Sequence, residues 1–183
     1  ASFAELGKML GMSKAGIFKY YKNKQELFIA VVDKFWFSTQ NPRNKFTETN
    51  GTFAEFIDEY VRGVQRTMDM LGDLIGAERE KVAQGKFTYH AQYFHFLFQL
   101  LQYDPDAKEK LRNLVDGDYA YWRAAIQRAI ATGELREDVD VEDAVVMFRQ
   151  VYMGLSFEMA FMGGLNTQRL AKHLHAVYSL LKR

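Results

Sequence analysis

Hydrophobic residues recur at helical spacing along almost the whole chain, and no stretch alternates with the period of two that a strand requires. Phe3, Leu6 and Leu10 form a first short stripe. Ser2, with Glu5 three residues on, reads as a capping box in front of it, and Gly11 ends it, because glycine enters the left-handed region at no steric cost. Met12 follows as an apolar plug. Ser13 caps a second short helix through Ile17, Tyr20 and Tyr21. Asn23, with Glu26, opens a third, whose expected apolar face is Leu27, Phe28, Val31, Val32 and Phe35.

Longer helices fill the rest. Thr52 and Glu55 make another capping box, opening a helix through Phe56, Ile57, Tyr60, Val64 and Met68. Gly72, Gly76 and Gly85 mark breaks or kinks. A strongly aromatic helix then carries Tyr89, Tyr93, Phe94, Phe96, Leu97, Phe98, Leu100 and Leu101. Asp104-Pro105 predicts a cap with proline at the first helical position, and the helix it opens, through Leu111, Tyr121, Trp122 and Ile130, ends near Gly133. A short linker, capped at Asp140, leads into a helix over 141–162 that is apolar nearly all round and therefore needs cover on more than one side. The last helix has a stripe of Leu170, Leu174, Val177, Tyr178 and Leu181. The predicted fold class is all-α: a small helix-turn-helix head over residues 1–45 and a larger helical body over 46–183.

Composition narrows the function classes. The 183 residues are 48% hydrophobic and 26% charged, as in a globular chain and unlike a disordered one. The longest apolar run, from Tyr152 to Leu165, is broken by Glu158 and falls short of the ~20 residues a membrane span needs. There is no cysteine, which fits a reducing cytoplasm, and no leader segment is visible. The net charge of +1 conceals a division. Residues 1–47 carry seven lysines and one arginine against three acids, a net of +5, and the remainder is net −4. A basic head on an acidic body is expected where one end meets a polyanion.

The head is specific enough to carry a resemblance. Two helices that cross closely need the glycine turn at Gly11. The second helix needs apolar anchors, Ile17 and Tyr21, while its outer face stays free for a major groove. The run from Gly11 to Phe28, GMSKAGIFKYYKNKQELF, resembles the TetR family signature: glycine, an apolar residue, serine, a small pair, an apolar residue, tyrosines, then a capping residue and a Lys-Glu-Glu-Leu-like start to the next helix. The turn Gly133-Glu-Leu-Arg-Glu-Asp138 is similar to one found in such chains before their last long helices.

The resemblance implies a dimeric regulator binding double-stranded DNA, with phosphate contacts from Ser13, Tyr20 and Lys24 and base-edge contacts from Ala15, Gly16 and Lys19. Lys14, Phe18 and Lys22 complete the predicted DNA-binding set, with lysines neutralising phosphates. Lys24 stands in the first turn of its helix, where a cation is disfavoured unless a phosphate joins it. Phe18 replaces the usual tyrosine, Tyr21 the usual phenylalanine and Gly7 the usual alanine. The helix that precedes this motif in the family is not seen, which keeps open an alternative: a helical small-molecule-binding protein that no longer binds DNA.

In the body, Phe94, Phe98, Tyr121, Trp122, Phe148 and Tyr152 are candidate walls for a small apolar or aromatic effector, since rings with polar tips suit such pockets. The resemblance places a homodimer interface on the last two helices, with Phe148, Tyr152, Met159, Leu170, Leu174, Val177 and Leu181 as its candidates. No catalytic constellation, cofactor or metal site is predicted. His90 and His95 lie ~140° apart around a helix, and neither HExxH nor a glycine-rich phosphate loop occurs.

Overall fold

The computed structural model describes residues 3–47, 51–74 and 89–183. All regular structure among these is helical, with one isolated antiparallel bridge between Leu135 and Lys182. The head comprises α1 (Phe3–Leu10), α2 (Lys14–Phe18) and α3 (Lys24–Val31). α3 runs on through a π-helical segment, Val32–Phe37, into the short turn α4 (Ser38–Gln40). α5 (Pro42–Lys45) leads to the body: α6 (Phe53–Leu74), α7 (Tyr89–Tyr103), α8 (Ala107–Ala131), α9 (Val141–Ala160) and α10 (Thr167–Leu181).

Local chemistry sets these boundaries. Gly11 ends α1 with φ 64°, and Gly133 follows α8 with φ 74°, conformations closed to most side chains. Asn23 accepts the Glu26 N–H at 2.8 Å and Asp140 the Asp143 N–H at 3.0 Å, as expected of N-caps. The start of α6 is fully satisfied. Thr52 Oγ1 accepts from Glu55 N, the Glu55 carboxylate accepts from Thr52 N, and the carboxylate of Glu134 takes the Phe53 and Ala54 N–H groups. The second Glu134 oxygen also accepts from Tyr178 Oη at 2.8 Å, so one carboxylate ties α6, the turn after α8 and α10 together.

Three expectations are corrected. Gly72 does not break α6, which continues to Leu74. Asp104-Pro105 precedes the helix instead of entering it: Asp104 Oδ1 accepts the Asp106 N–H at 2.9 Å in a local turn, and α8 starts at Ala107. The helix expected over 141–162 ends at Ala160, before Gly163 and Gly164, which have positive φ. Ser2, Gly76 and Gly85 lie outside the described residues.

The third predicted face is also shifted. Val32 and Trp36 are buried, whereas Val31 and Phe35 are exposed. The π-helical segment widens the ladder by one residue per bond and re-phases the stripe to Phe28, Val32 and Trp36. That stripe packs on Phe96 and Tyr93 of α7, with ring centroids 5.5 Å (Phe28–Phe96) and 5.8 Å (Trp36–Tyr93) apart. This satellite core, completed by Leu71, Leu100 and Ala107, seats the head on the body.

The main core centres on Trp122, fully buried in α8. Phe148 of α9 stacks on it at 4.8 Å with the planes 8° apart, while Phe56 and Tyr60 of α6 meet it edge-on at 5.1 and 4.9 Å. Phe46, just after α5, joins the same group. α10 closes it along α6 and α9 with Leu170 and Leu174. α5 can lie this close to α6 because residue 63 is glycine: a Cβ there would collide with the backbone of Lys45.

Two predictions follow from this packing. Gly63→Ala should lower stability by about 2 kcal/mol through overpacking, while Gly72→Ala, which meets nothing within 4 Å, should raise it by about 0.5–1 kcal/mol; urea unfolding of both variants checks the pair. The second concerns Tyr178, whose hydroxyl is pushed up to about 12 by burial and by its bond to the Glu134 carboxylate. The folded state holds this proton more tightly than the unfolded chain. Its contribution is therefore complete below pH ~10 and fades as pH rises toward 12. Tyr178→Phe should reduce the alkaline loss of stability in that window, as read by melting temperature between pH 9 and 12.

Candidate functional site

The head presents its polar side outward. Ile17 is buried and Tyr21 half-buried, as their apolar positions predict, but α2, expected to run through Tyr21, ends at Phe18 and Tyr21 follows it after a turn. Ala15, Lys19, Tyr20, Lys22 and Lys24 are exposed, Tyr20 by 69%. Ser13 caps α2, its Oγ accepting the Gly16 N–H at 3.0 Å, which leaves the hydroxyl proton to donate elsewhere. A Cβ at residue 16 would approach Ser13 Oγ to 3.3 Å, tighter than ordinary contact, so the glycine suits this cap. Phe18 is 43% exposed. Lys14 occupies the first position of α2, and its side chain lies outside the described part. Lys24 stands at the first position of α3, as its spacing predicts, with Glu26 as the acid of that turn. Met12, expected as a plug, is 41% exposed, because the Gly11 turn carries it outward beside Gly16.

Two polar tethers join head and body. Gln25 donates from Nε2 to the Tyr103 carbonyl oxygen, next to the Phe28–Tyr103 ring contact at 6.3 Å. Lys110 of α8 bridges Asp33 at 2.6 Å and Asp104 at 2.9 Å. Burial alone would lower the Lys110 pKa, but the two carboxylates hold it above the ordinary lysine value.

The six residues expected to line a ligand site separate. Trp122 and Phe148 are the centre of the core and line neither the outward cleft nor the small inner cavity. Phe98 is 65% exposed on α7. Tyr121 lines an outward cleft of about 620 Å³ between the α3–α5 segment and α8, together with Asp33, Phe37, Arg43 and Lys110. Phe94 and Tyr152 line a small inner cavity of about 30 Å³ with Gln40, Thr67, Met68, Leu71, Ser156 and Leu165. The aromatic count in the sequence thus marks the core as strongly as the cavities.

Beside the Tyr152 wall of the inner cavity lies a group of polar residues that the apolar periodicity conceals: Lys45, Tyr60, Asp118 and Arg149, with Ser156 in the lining itself, all buried. The sequence signal for two of them is a charge on an otherwise apolar helix face: Arg149 lies four residues after Val145 and three before Tyr152, and Asp118 one turn before Trp122. Burial is the first cause pushing the Tyr60 hydroxyl well above its ordinary pKa, with Tyr152 and Asp118 adding to it.

The expected dimer residues also divide. Phe148, Leu170 and Leu174 are fully buried within the subunit, and Tyr152, Met159, Val177 and Leu181 are half-buried. The apolar groups that α9 and α10 leave exposed are Val146, Met147, Phe157 and Leu180, with Phe161 and Met162 just beyond α9. The predicted stripe points inward because α10 needs it to close the Trp122 core. No group of histidine, cysteine or acidic residues among the described ones has the arrangement to hold a metal ion, and no described helix is long and apolar enough to cross a membrane. His175 Nε2 lies 2.7 Å from Asp58 Oδ1, and His95 is exposed.

A family model described as tetracyclin repressor-like, C-terminal domain, matches residues 54–174. Neither the curated proteins nor the solved structures compared contain a significant match. The match covers α6 to most of α10, the all-α body built around Trp122. With that body behind the head motif, the chain belongs to the TetR family of regulators and carries that family's ligand-binding C-terminal domain.

Proposed function

We propose that this protein is a DNA-binding transcriptional repressor that grips a palindromic operator as a homodimer and is controlled by a small apolar or aromatic effector. The head, residues 1–45, is the DNA-binding domain, and the body, 46–183, binds effector and dimerises. The observation that carries this reading is the head's outward face: Lys19, Tyr20, Lys22 and Lys24 are exposed together beyond the anchor Ile17, on a body of this family. Lysines and a tyrosine hydroxyl suit phosphates, and Ala15 and Gly16 allow α2 to approach base edges. Ser13 adds its free proton. Lys14 and Phe18 complete the proposed DNA-binding set.

Two-fold symmetry places the heads about 34–36 Å apart on successive major grooves. The exposed side of α9 supplies the matching face. Met147, Gly154, Phe157 and Phe161 recur three, four and seven residues apart, on one helical stripe, with Leu180 of α10 as the second element. Gly154, where a Cβ would meet nothing within 4 Å, leaves room for a second helix to approach.

The test is an operator gel shift across a salt series. Lys24→Gln should weaken binding to every sequence and reduce the salt slope by about 1, whereas Lys19→Ala should alter sequence preference. Unchanged binding in both variants overturns the head assignment. Phe157→Glu should convert the dimer to monomer in sedimentation and abolish cooperative operator binding while the helical content is retained at 25 °C, with a melting temperature lowered by the loss of association.

A further inference from the structure

The interior of the body holds more positive charge than it pairs. Lys45 and Arg149 are 5% and 9% exposed, and both approach one carboxylate, Asp118, itself 2% exposed. Lys45 Nζ lies 3.7 Å and Arg149 Nε 3.3 Å from the same Asp118 Oδ2. The guanidinium approaches off-line, so Arg149 Nε and Nη1 make no hydrogen bond, and Asp118 Oδ1 accepts none. Buried donors and charges left in this state are costly, and natural interiors rarely keep them without a use.

Their position supplies the use. Arg149, Tyr152 and Ser156 follow at intervals of three and four on α9 and share one helical face. Tyr152 and Ser156 line the inner cavity, and the guanidinium carbon lies 5.6 Å from the Tyr152 ring centroid, with Lys45 Nζ 5.7 Å from it. Ser156 Oγ and Tyr60 Oη are buried without a hydrogen-bond partner, and the Tyr60 and Tyr152 rings lie 6.0 Å apart. The Ser156 hydroxyl thus opens on the cavity, and the Arg149 guanidinium and the Tyr60 hydroxyl lie beside its Tyr152 wall, outside the lining itself. Met68, Leu71, Phe94 and Leu165 make up the apolar part of the lining, with Gln40 and Thr67 as further polar members.

We propose that the effector is a monocarboxylate on an apolar or aromatic body, its carboxylate received by Arg149 beside Tyr152. This rests on the effector-controlled reading above. Two cations against one carboxylate leave a single positive charge, which one carboxylate neutralises and a phosphate dianion overshoots. The planar guanidinium fork matches a carboxylate with two parallel hydrogen bonds. Tyr60, held protonated by burial, and Ser156 supply further donors to the same anion. The cavity of about 30 Å³ is room for roughly one water, so entry of the ligand body displaces the unbranched Met68 side chain and the Phe94 ring. Lys45 ends α5, the link to the head, so an anion that competes for this charge group acts directly on that link.

The test uses the full chain. Melting temperatures are taken with benzoate and decanoate and with their uncharged counterparts benzamide and decan-1-ol. A carboxylate should raise the melting temperature by about 5 °C at a hundredfold excess over Kd, and its counterpart should not. Arg149→Met should abolish the shift and Arg149→Lys should keep part of it. Without any compound, Arg149→Met should melt at or above the parent, because Lys45 and Asp118 remain as a neutral pair, and Asp118→Asn should melt lower. Carboxylates without effect on the parent overturn the proposal, as does an Arg149→Met variant that melts well below it, since the arginine would then be a structural partner. Stabilisation by the uncharged counterparts alone overturns it while leaving effector binding intact. The operator gel shift, run without compound, reads the regulator proposal separately.

Discussion

The stack of Trp122 on Phe148 is the contact on which the remaining architecture depends. It joins α8 to α9 at their crossing, and α6 roofs it with Phe56 and Tyr60 edge-on. Each ring brings a large apolar area, and the edge-to-face geometry adds roughly 0.5–1.5 kcal/mol per pair beyond burial. Phe46 enters the same group from the chain between head and body. The position of that connection is thus fixed by the deepest part of the core, and Gly63 allows the backbone to come near enough for it.

The head is held by contacts of unequal weight. The Asp33–Lys110–Asp104 bridge is part-exposed, and such pairs contribute about 0–1 kcal/mol. Burying Val32 and Trp36 against α7 contributes about 1.5–3 kcal/mol for each large side chain. The aromatic seat therefore holds the head on the body, and the polar tethers set its orientation. The π-helical segment between Val32 and Phe37 is where both sets of contacts meet.

Capping and periodicity were legible in the sequence. Ser13, Asn23, Thr52 and Asp140 cap where they were expected to, since a cap is a local rule satisfied within three residues. The stripe after Phe28 was misread because a π-helical segment leaves no mark in apolar spacing. Leu170 and Leu174 were legible as buried, but not against what: periodicity gives the side of a helix that is covered, not whether the cover belongs to the same subunit. The charged group around Asp118 escaped for a related reason. Its three members come from α5, α8 and α9, far apart in sequence, so even a charge that stands on an apolar helix face gives no sign of its partners.

Both cavities border the segment that joins head to body. The outward cleft is lined by Asp33, Phe37, Asn41, Pro42 and Arg43, and the inner cavity by Gln40, with Lys45 behind Tyr152. A ligand alters the head only through contacts that differ between the arrangements of this segment, and moving such an equilibrium from 1:99 to 99:1 takes about 5.5 kcal/mol of differential binding. Apolar contacts along the cavity walls are poor at this, because a side chain that shifts finds similar contacts nearby. A buried ion pair is better suited, since its energy falls steeply when one partner is displaced into a closed interior. Of the polar groups in the body, the trio of Lys45, Asp118 and Arg149 combines burial with a backbone connection to the head, and there a small change in charge has the largest mechanical consequence.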